Sequence, residues 1–233
     1  MPSVKLTPSP FLKRALPLLQ QAWQDLQRKD GLFPIFNDNQ LTAAWKPFPG
    51  RIPASRGAAV LVPVCSFEGK PSILFTKRSP FLSNHSSEIS FPGGHADPSD
   101  ESLVDTALRE TREEIFTPLE PIFILGMGTA VPSIKGIPVT PVVAILPDEM
   151  QQDMLEGDPK EVDLVFCRPV SSLLEEETSR HLGRLGTPAP VYPTPHGDIW
   201  GLTAFFLRPI LHKLLQPVFQ ELEANSEELK KDQ

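Results

Sequence analysis

One stretch constrains this chain more than any other: Phe91 to Ile115, FPGGHADPSDESLVDTALRETREEI. It opens on Pro92-Gly93-Gly94, a sharp turn, since glycine accepts backbone angles closed to other residues. A polar run with Asp97, Pro98 and Asp100 reads as a loop. The spacing then predicts a helix from about Glu101 to Ile115, capped by Ser99 or Asp100, with acids in its first turn where the helix dipole favours them.

The two faces of that helix differ in kind. Leu103, Val104, Ala107, Leu108 and Ile115 recur at helical spacing and make an apolar stripe. Glu110, Glu113 and Glu114 stand at i, i+3 and i+4, so at about 100° per residue they share one adjoining face. Like charges so placed repel, and a hard divalent cation turns that repulsion into attraction. Mg²⁺ takes carboxylate oxygens and is usually shared with substrate phosphates. Arg109 precedes the first acid and can orient a carboxylate through a forked hydrogen bond. A run such as ETREE alone is more often a solvated helix face. The glycine turn, the loop and the acids at fixed spacing form a far more specific combination.

This combination resembles the Nudix box, G-x5-E-x7-R-E-U-x-E-E-x-G-U with U a bulky aliphatic. Glu101, Arg109, Glu110, Glu113 and Glu114 match in register, and Gly94 stands one residue further from Glu101 than the standard box has it. That insertion is similar to the coenzyme A diphosphatase branch. So is the upstream pattern L-L-T-x-R-S-x3-R-x3-G-x3-F-P-G-G, matched here by Leu74, Thr76, Arg78, Ser79 and Phe91 to Gly94. The chain departs from it at Phe75 for Leu, Ser83 for Arg and Ser87 for Gly. Within the box, Thr111 takes an aliphatic slot and Phe116 the glycine slot at the helix end. If Phe116 needs a left-handed conformation there, it costs roughly 1 kcal/mol or more; the alternative is a rebuilt helix end closed by Pro118.

The resemblance covers roughly residues 55–215. It implies an α/β/α sandwich with a central mixed sheet and a catalytic loop-helix-loop. It implies Mg²⁺ or Mn²⁺ held by Glu110, Glu113 and Glu114, with the Gly94 carbonyl as a further ligand. Glu113 and Arg109 take catalytic roles, and Arg78, Gly93 and Gly94 contact substrate. Glu161, an acid at the start of a strand, is a candidate extra base or metal contact, against simple strand-entry polarity. The implied reaction is hydrolysis of the diphosphate of coenzyme A or an acyl derivative to adenosine 3′,5′-bisphosphate and a phosphopantetheine. Two alternatives stand beside it: another nucleoside diphosphate derivative, such as a dinucleotide or nucleotide sugar, and a non-catalytic binding module of the same fold.

The remaining sequence agrees with an α/β reading. Ala58 to Ser66 is a Val-rich apolar run suited to a buried strand, although Pro63 argues for an irregularity or an edge. Further strands are expected at 72–77, 121–129, 139–146 and 161–166, with a turn at 67–70 and a helix at 170–177. Residues 178–199 read as an irregular hairpin, and a long helix follows to about Leu222, bent at Pro209 and Pro217. A helix is expected from Phe11 to Gln27, kinked or split at Pro17. The expected division is 1–54 as an N-terminal helix and connection, 55–222 as the hydrolase domain and 223–233 as a frayed charged tail.

Net charge is −7 and no basic block is long, which argues against a nucleic-acid partner. No apolar run approaches the roughly 18 residues of a membrane span. Cys65 and Cys167 are the two cysteines, both in apolar segments, so buried thiols and a reducing interior are expected. Few acids and several basic residues near the N-terminus leave cytoplasm and mitochondrion both open. The expected partner is a small nucleotide diphosphate, bound by a monomer or homodimer.

Overall fold

A computed structural model of the chain describes residues 9–30, 57–82, 85–117, 119, 121–181 and 188–231. All but the first residue of the expected connection over 30–56, the substitution at Ser83 and the stop at Pro118 lie outside the described residues.

The organising layer is a mixed sheet. Strand β1, Ala58–Phe67, forms a hairpin with β2, Lys70–Arg78, in register Phe67↔Lys70. Its turn residues Glu68 and Gly69 have φ of 50° and 77°, the two positive angles that a tight hairpin matched to strand twist requires. Two short strands follow: β3, Ile89–Ser90, pairs with β2, and β4, Gly93–His95, pairs with the start of β1. Strand β5, Phe123–Met127, and β6, Val131–Pro132, both lie antiparallel to β7, Pro138–Met150. β7 runs parallel to β1 on its other flank, and β8, Val162–Pro169, covers the far edge of β2. β7 therefore extends past 146, where the expected strand ends, as far as Met150.

Pro63 sits inside the central strand β1, and the register shows why it is tolerated. The Leu61 N–H points to Pro92, on the β4 side. Two residues on, Pro63 faces the same way, in the gap where pairing with β4 has ended at Val60 and pairing with β2 begins at Val64. The missing donor falls where β1 changes partners, as the expected irregularity requires.

Alternation along the strands sends side chains into two layers. Val62, Val64, Ile73, Phe75, Val143 and Ile145 face one core, closed by helices from both ends of the chain. Helix α1, Pro10–Asp30, supplies Leu12, Ala15, Leu19 and Trp23 to it. Pro17 neither splits nor ends α1, because it lies on the exposed face, where the carbonyl it leaves unpaired meets water. On the other face, helix α2, Leu103–Glu114, lays Ala107 with Leu103, Val104 and Leu108 over Ala59, Leu61, Val142 and Ala144. The molecule is thus an α/β/α sandwich.

After β8 come α3, Val170–Glu175, and a small antiparallel sheet of β9, Thr178–His181, β10, Pro188–Thr194, and β11, Gly197–Ile199. The expected hairpin over 178–199 is this three-stranded sheet. The long final helix is α4, Gly201–Pro209, a π-helical turn, Ile210–Leu215, and α5, Gln216–Lys231. The π turn lies between the two prolines expected to bend it, and its end is marked by the wide bond from the Gln216 N–H to the Leu211 carbonyl. Helical backbone runs to Lys231, past the expected end near Leu222.

Candidate active site

The site is assembled where the glycine turn meets α2. Gly93 has φ of 147°, and a β-carbon there would run into the Ala59 carbonyl and stand 2.6 Å from the Val60 α-carbon. Only glycine lets the turn lie this close to β1. A β-carbon on Gly94 would meet the Glu110 carboxylate. The two glycines thus have different reasons: Gly93 fits against the sheet and Gly94 leaves room for an acid.

The start of α2 differs from expectation. Its cap is Ser102, whose hydroxyl accepts from the Asp105 N–H at 3.2 Å. Ser99 is occupied in a local turn instead, donating from its N–H and its hydroxyl to Asp97. Asp100 is bound by Arg109 and by the Thr106 hydroxyl.

Arg109 is the hub. Its Nε and Nη2 fork onto the two oxygens of Asp100, each at 2.9 Å. Nη2 also donates to the His95 carbonyl at 3.0 Å, and Nη1 to Glu110 at 2.9 Å and Glu113 at 3.2 Å. That accounts for all five guanidinium protons. One side chain ties the loop, the end of β4 and two acids of the helix together. The same contacts hold the Asp100 carboxyl well below the usual range and raise Arg109 further above its own. The sequence signal for Asp100 was its place nine residues before Arg109, which the capping reading obscured.

Glu114 has a different environment. It is 3% exposed, accepts one bond from the Gly93 N–H at 3.2 Å, and has Arg78 Nη1 at 3.7 Å. Burial pushes its carboxyl up to about 8; the Gly93 bond and the Arg78 charge oppose this, and the charges of Glu161 and Glu110 reinforce it. Arg78 leaves its Nε buried without a hydrogen-bond partner. Glu114 is thus a buried acid held by one backbone amide and one guanidinium at 3.7 Å, an arrangement that favours a further cation beside it.

The structure brings Arg78, Gly93, Gly94, Arg109, Glu110, Glu113 and Glu114 into one neighbourhood. Glu113 is the most exposed of the three helix acids at 57%. Glu161 is exposed, and its backbone carbonyl accepts from the Ser79 N–H at 2.8 Å, tying the start of β8 to the end of β2. Among the described residues, no three His, Cys, Asp or Glu side chains converge as a closed metal cage. The reason is visible: Glu110 and Glu113 are drawn to Arg109, and Glu114 to Gly93. The donor set nonetheless suits a hard cation, being all carboxylate oxygen, with Glu114 buried close to Glu110 and beside an open turn.

The departures from the box are absorbed locally. Thr111 is fully buried, and its hydroxyl donates to the Ala107 carbonyl at 2.6 Å, so a polar group fills an apolar slot without a loose donor. Phe116 has no left-handed strain. The helix ends with Ile115 extended, at φ −122°, bridging to Gly157, and the Phe116 N–H donates to the Glu156 carbonyl. Ser87 keeps the backbone that glycine would have, with φ of 60°.

Residues 55–185 match the NUDIX domain family. The chain is 37% identical over 185 residues to the uncharacterized Nudix hydrolase NudL of Photorhabdus laumondii, covering 77% of this chain and 95% of that one. It is 36% identical over 174 residues to the human mitochondrial coenzyme A diphosphatase NUDT8, covering 72% of each.

Proposed function

The chain belongs to the Nudix hydrolase family, and from that premise we propose that it is the coenzyme A diphosphatase type of that enzyme, cleaving coenzyme A or acyl-coenzyme A to adenosine 3′,5′-bisphosphate and a phosphopantetheine. The observation that carries this reading is the pairing of buried Glu114 with Arg78, one from the box and one from the upstream pattern. Likeness to the human coenzyme A diphosphatase supports the same substrate.

Glu110, Glu113 and Glu114 would hold Mg²⁺ or Mn²⁺, with the Gly94 carbonyl as a further candidate. A bound divalent ion supplies charge neutralisation at the diphosphate and a more acidic water. The rest is work for the chain. Arg109 fixes Glu110 and Glu113 in place through its anchor on Asp100. Arg78, part-exposed although its Nε is buried, would offer its outer guanidinium nitrogens to a substrate phosphate oxygen. The Gly93–Gly94 turn brings that phosphate close without a side chain in between. Glu113, exposed and hydrogen-bonded to Arg109, would take a proton from the attacking water, and Glu161 is a second candidate for that role. Water attacks one phosphorus, the P–O bond to the other phosphate breaks, and the proton passes to a carboxylate.

The test is phosphate-product analysis with coenzyme A, diadenosine diphosphate and a nucleotide sugar, each with Mg²⁺ or Mn²⁺. Coenzyme A is expected to be turned over fastest, with activity abolished by a chelator. Preference for a dinucleotide or a sugar nucleotide would move the assignment within the family. Turnover that needs no divalent ion would overturn the mechanism.

A further inference from the structure

Along the edge of β3, between segment 87–89, β10, β11 and the start of α4, lies a half-open cavity of about 380 Å³, within the usual range for a ligand pocket. Its floor is apolar, with Ile89 and Val191 buried, and Trp200 stands 40% exposed on its wall. Three charged residues complete it: Glu88, and an Arg180–Asp198 ion pair at 2.5 Å. The cavity is joined to the site through backbone. The Arg78 N–H donates to the Glu88 carbonyl at 2.9 Å and the Ser87 N–H to the Arg78 carbonyl at 3.2 Å, while the Arg78 side chain reaches Glu114. The same short segment, 87–89, forms one wall and leads directly into the turn.

We infer that this cavity is the subsite for the amino-bearing planar base of the substrate's nucleoside, with Trp200 as its stacking face and Asp198 and Glu88 as acceptors for the exocyclic amine. This deepens the proposed hydrolase reading and rests on it. The lining selects the occupant. Arg180 is paired with Asp198, and Glu88 is hydrogen-bonded to His85 Nδ1 at 2.9 Å, so each acid is held in place and keeps a second carboxylate oxygen for a donor. An apolar floor, an accessible indole and carboxylate acceptors suit a neutral heteroaromatic ring whose amine donates. None of the three positions belongs to the box, and none carries the hydrolytic chemistry.

The experiment compares coenzyme A with its analogue bearing hypoxanthine in place of adenine, which presents a carbonyl where adenine presents an amine. Wild type, Trp200→Ala and Asp198→Asn are assayed for kcat and KM. In parallel, AMP and IMP are titrated by saturation-transfer NMR, which needs no turnover. Wild type is expected to favour the adenine member of each pair about tenfold, in KM and in binding, with kcat little changed. Trp200→Ala should weaken both members about tenfold at similar kcat, and Asp198→Asn should narrow the gap between them. Equal affinity of wild type for AMP and IMP, or a KM and affinity unmoved by both substitutions, overturns the inference. Absence of coenzyme A turnover sinks the proposed function, while the AMP and IMP titrations still decide the subsite.

Discussion

Glu114 sets two demands against each other. A carboxyl with a pKa of about 8 when folded and an ordinary one when unfolded binds an extra proton in the folded state throughout the window between those values. Stability of the metal-free protein is therefore complete below the unfolded value and falls as pH rises from about 4.5 towards 8. Glu114→Gln removes the titrating group and keeps an oxygen for the Gly93 N–H. With chelator present, the variant should melt higher than wild type at pH 8 and close to it at pH 4.5. Its kcat should fall several hundred-fold if Glu114 is the cation ligand proposed above. Mg²⁺ should raise the wild-type melting temperature at pH 8 and leave the variant's nearly unmoved. A variant less stable than wild type at pH 8 without metal would show that Glu114 is satisfied by its neighbours and is not waiting for a cation. Ser87 tests the same scale more simply. At φ of 60° it carries the strain of a left-handed non-glycine residue, so Ser87→Gly should stabilise the fold by about 0.5–1 kcal/mol in denaturant melts.

At the scale of elements, local signals were legible and tertiary partners were not. The period of α2 gave its apolar stripe and its acidic face, and the Val-rich run gave β1. The helix start was misplaced because Ser99, Asp100 and Ser102 are all competent caps. What decided among them was the grip of Arg109 on Asp100, a contact nine residues away that no local pattern contains. The end of α2 was open for a similar reason: Phe116 reads as a strained glycine replacement until Glu156 and Gly157 are seen to pair with the exit. The cysteines show how strand order adds what sequence omits. Cys65 Sγ and Cys167 Sγ are 3.7 Å apart and buried, close enough to suggest a disulfide. Yet Cys65 is on β1 and Cys167 on β8, with β2 between them. Two strand spacings put their backbones about 9.5 Å apart, beyond the ~7 Å a disulfide spans. Oxidant should leave both thiols free, and a thiol reagent should react with them only after denaturation. A cross-linked species on a non-reducing gel would mean that β2 can leave the sheet.

At the scale of the molecule, the family match and the core do not share boundaries. The match stops at residue 185. The larger core does not: α1 contributes Leu12, Leu19 and Trp23, and the final helix contributes Phe206, Leu207, Leu211, Leu214 and Leu215, all buried over the face of the sheet opposite α2. The two ends also pack on each other, with Phe11 and Phe219 edge to face at 5.3 Å. A chain cut to 55–185 would keep every box residue but lose α1 and the final helix, most of the layer covering Val62, Val64, Val143 and Ile145, with α3 left behind. Each large side chain removed from a buried position typically costs 2–5 kcal/mol, and a domain of this size has only about 5–15 kcal/mol to lose. The cut chain should therefore aggregate or lack a cooperative melt, and should turn over no substrate. Gly126→Ala probes the same layer gently, since a β-carbon there would strike the Trp23 indole and lift α1 from β5. That variant should lose about 1–3 kcal/mol and regain part of it with Trp23→Phe, whose smaller ring leaves space. A cooperative melt for 55–185 near that of the full chain would show that the end helices are ornaments on a self-sufficient hydrolase core. The expected result makes them the wall against which the sheet, and through it the glycine turn and Arg78, is held flat.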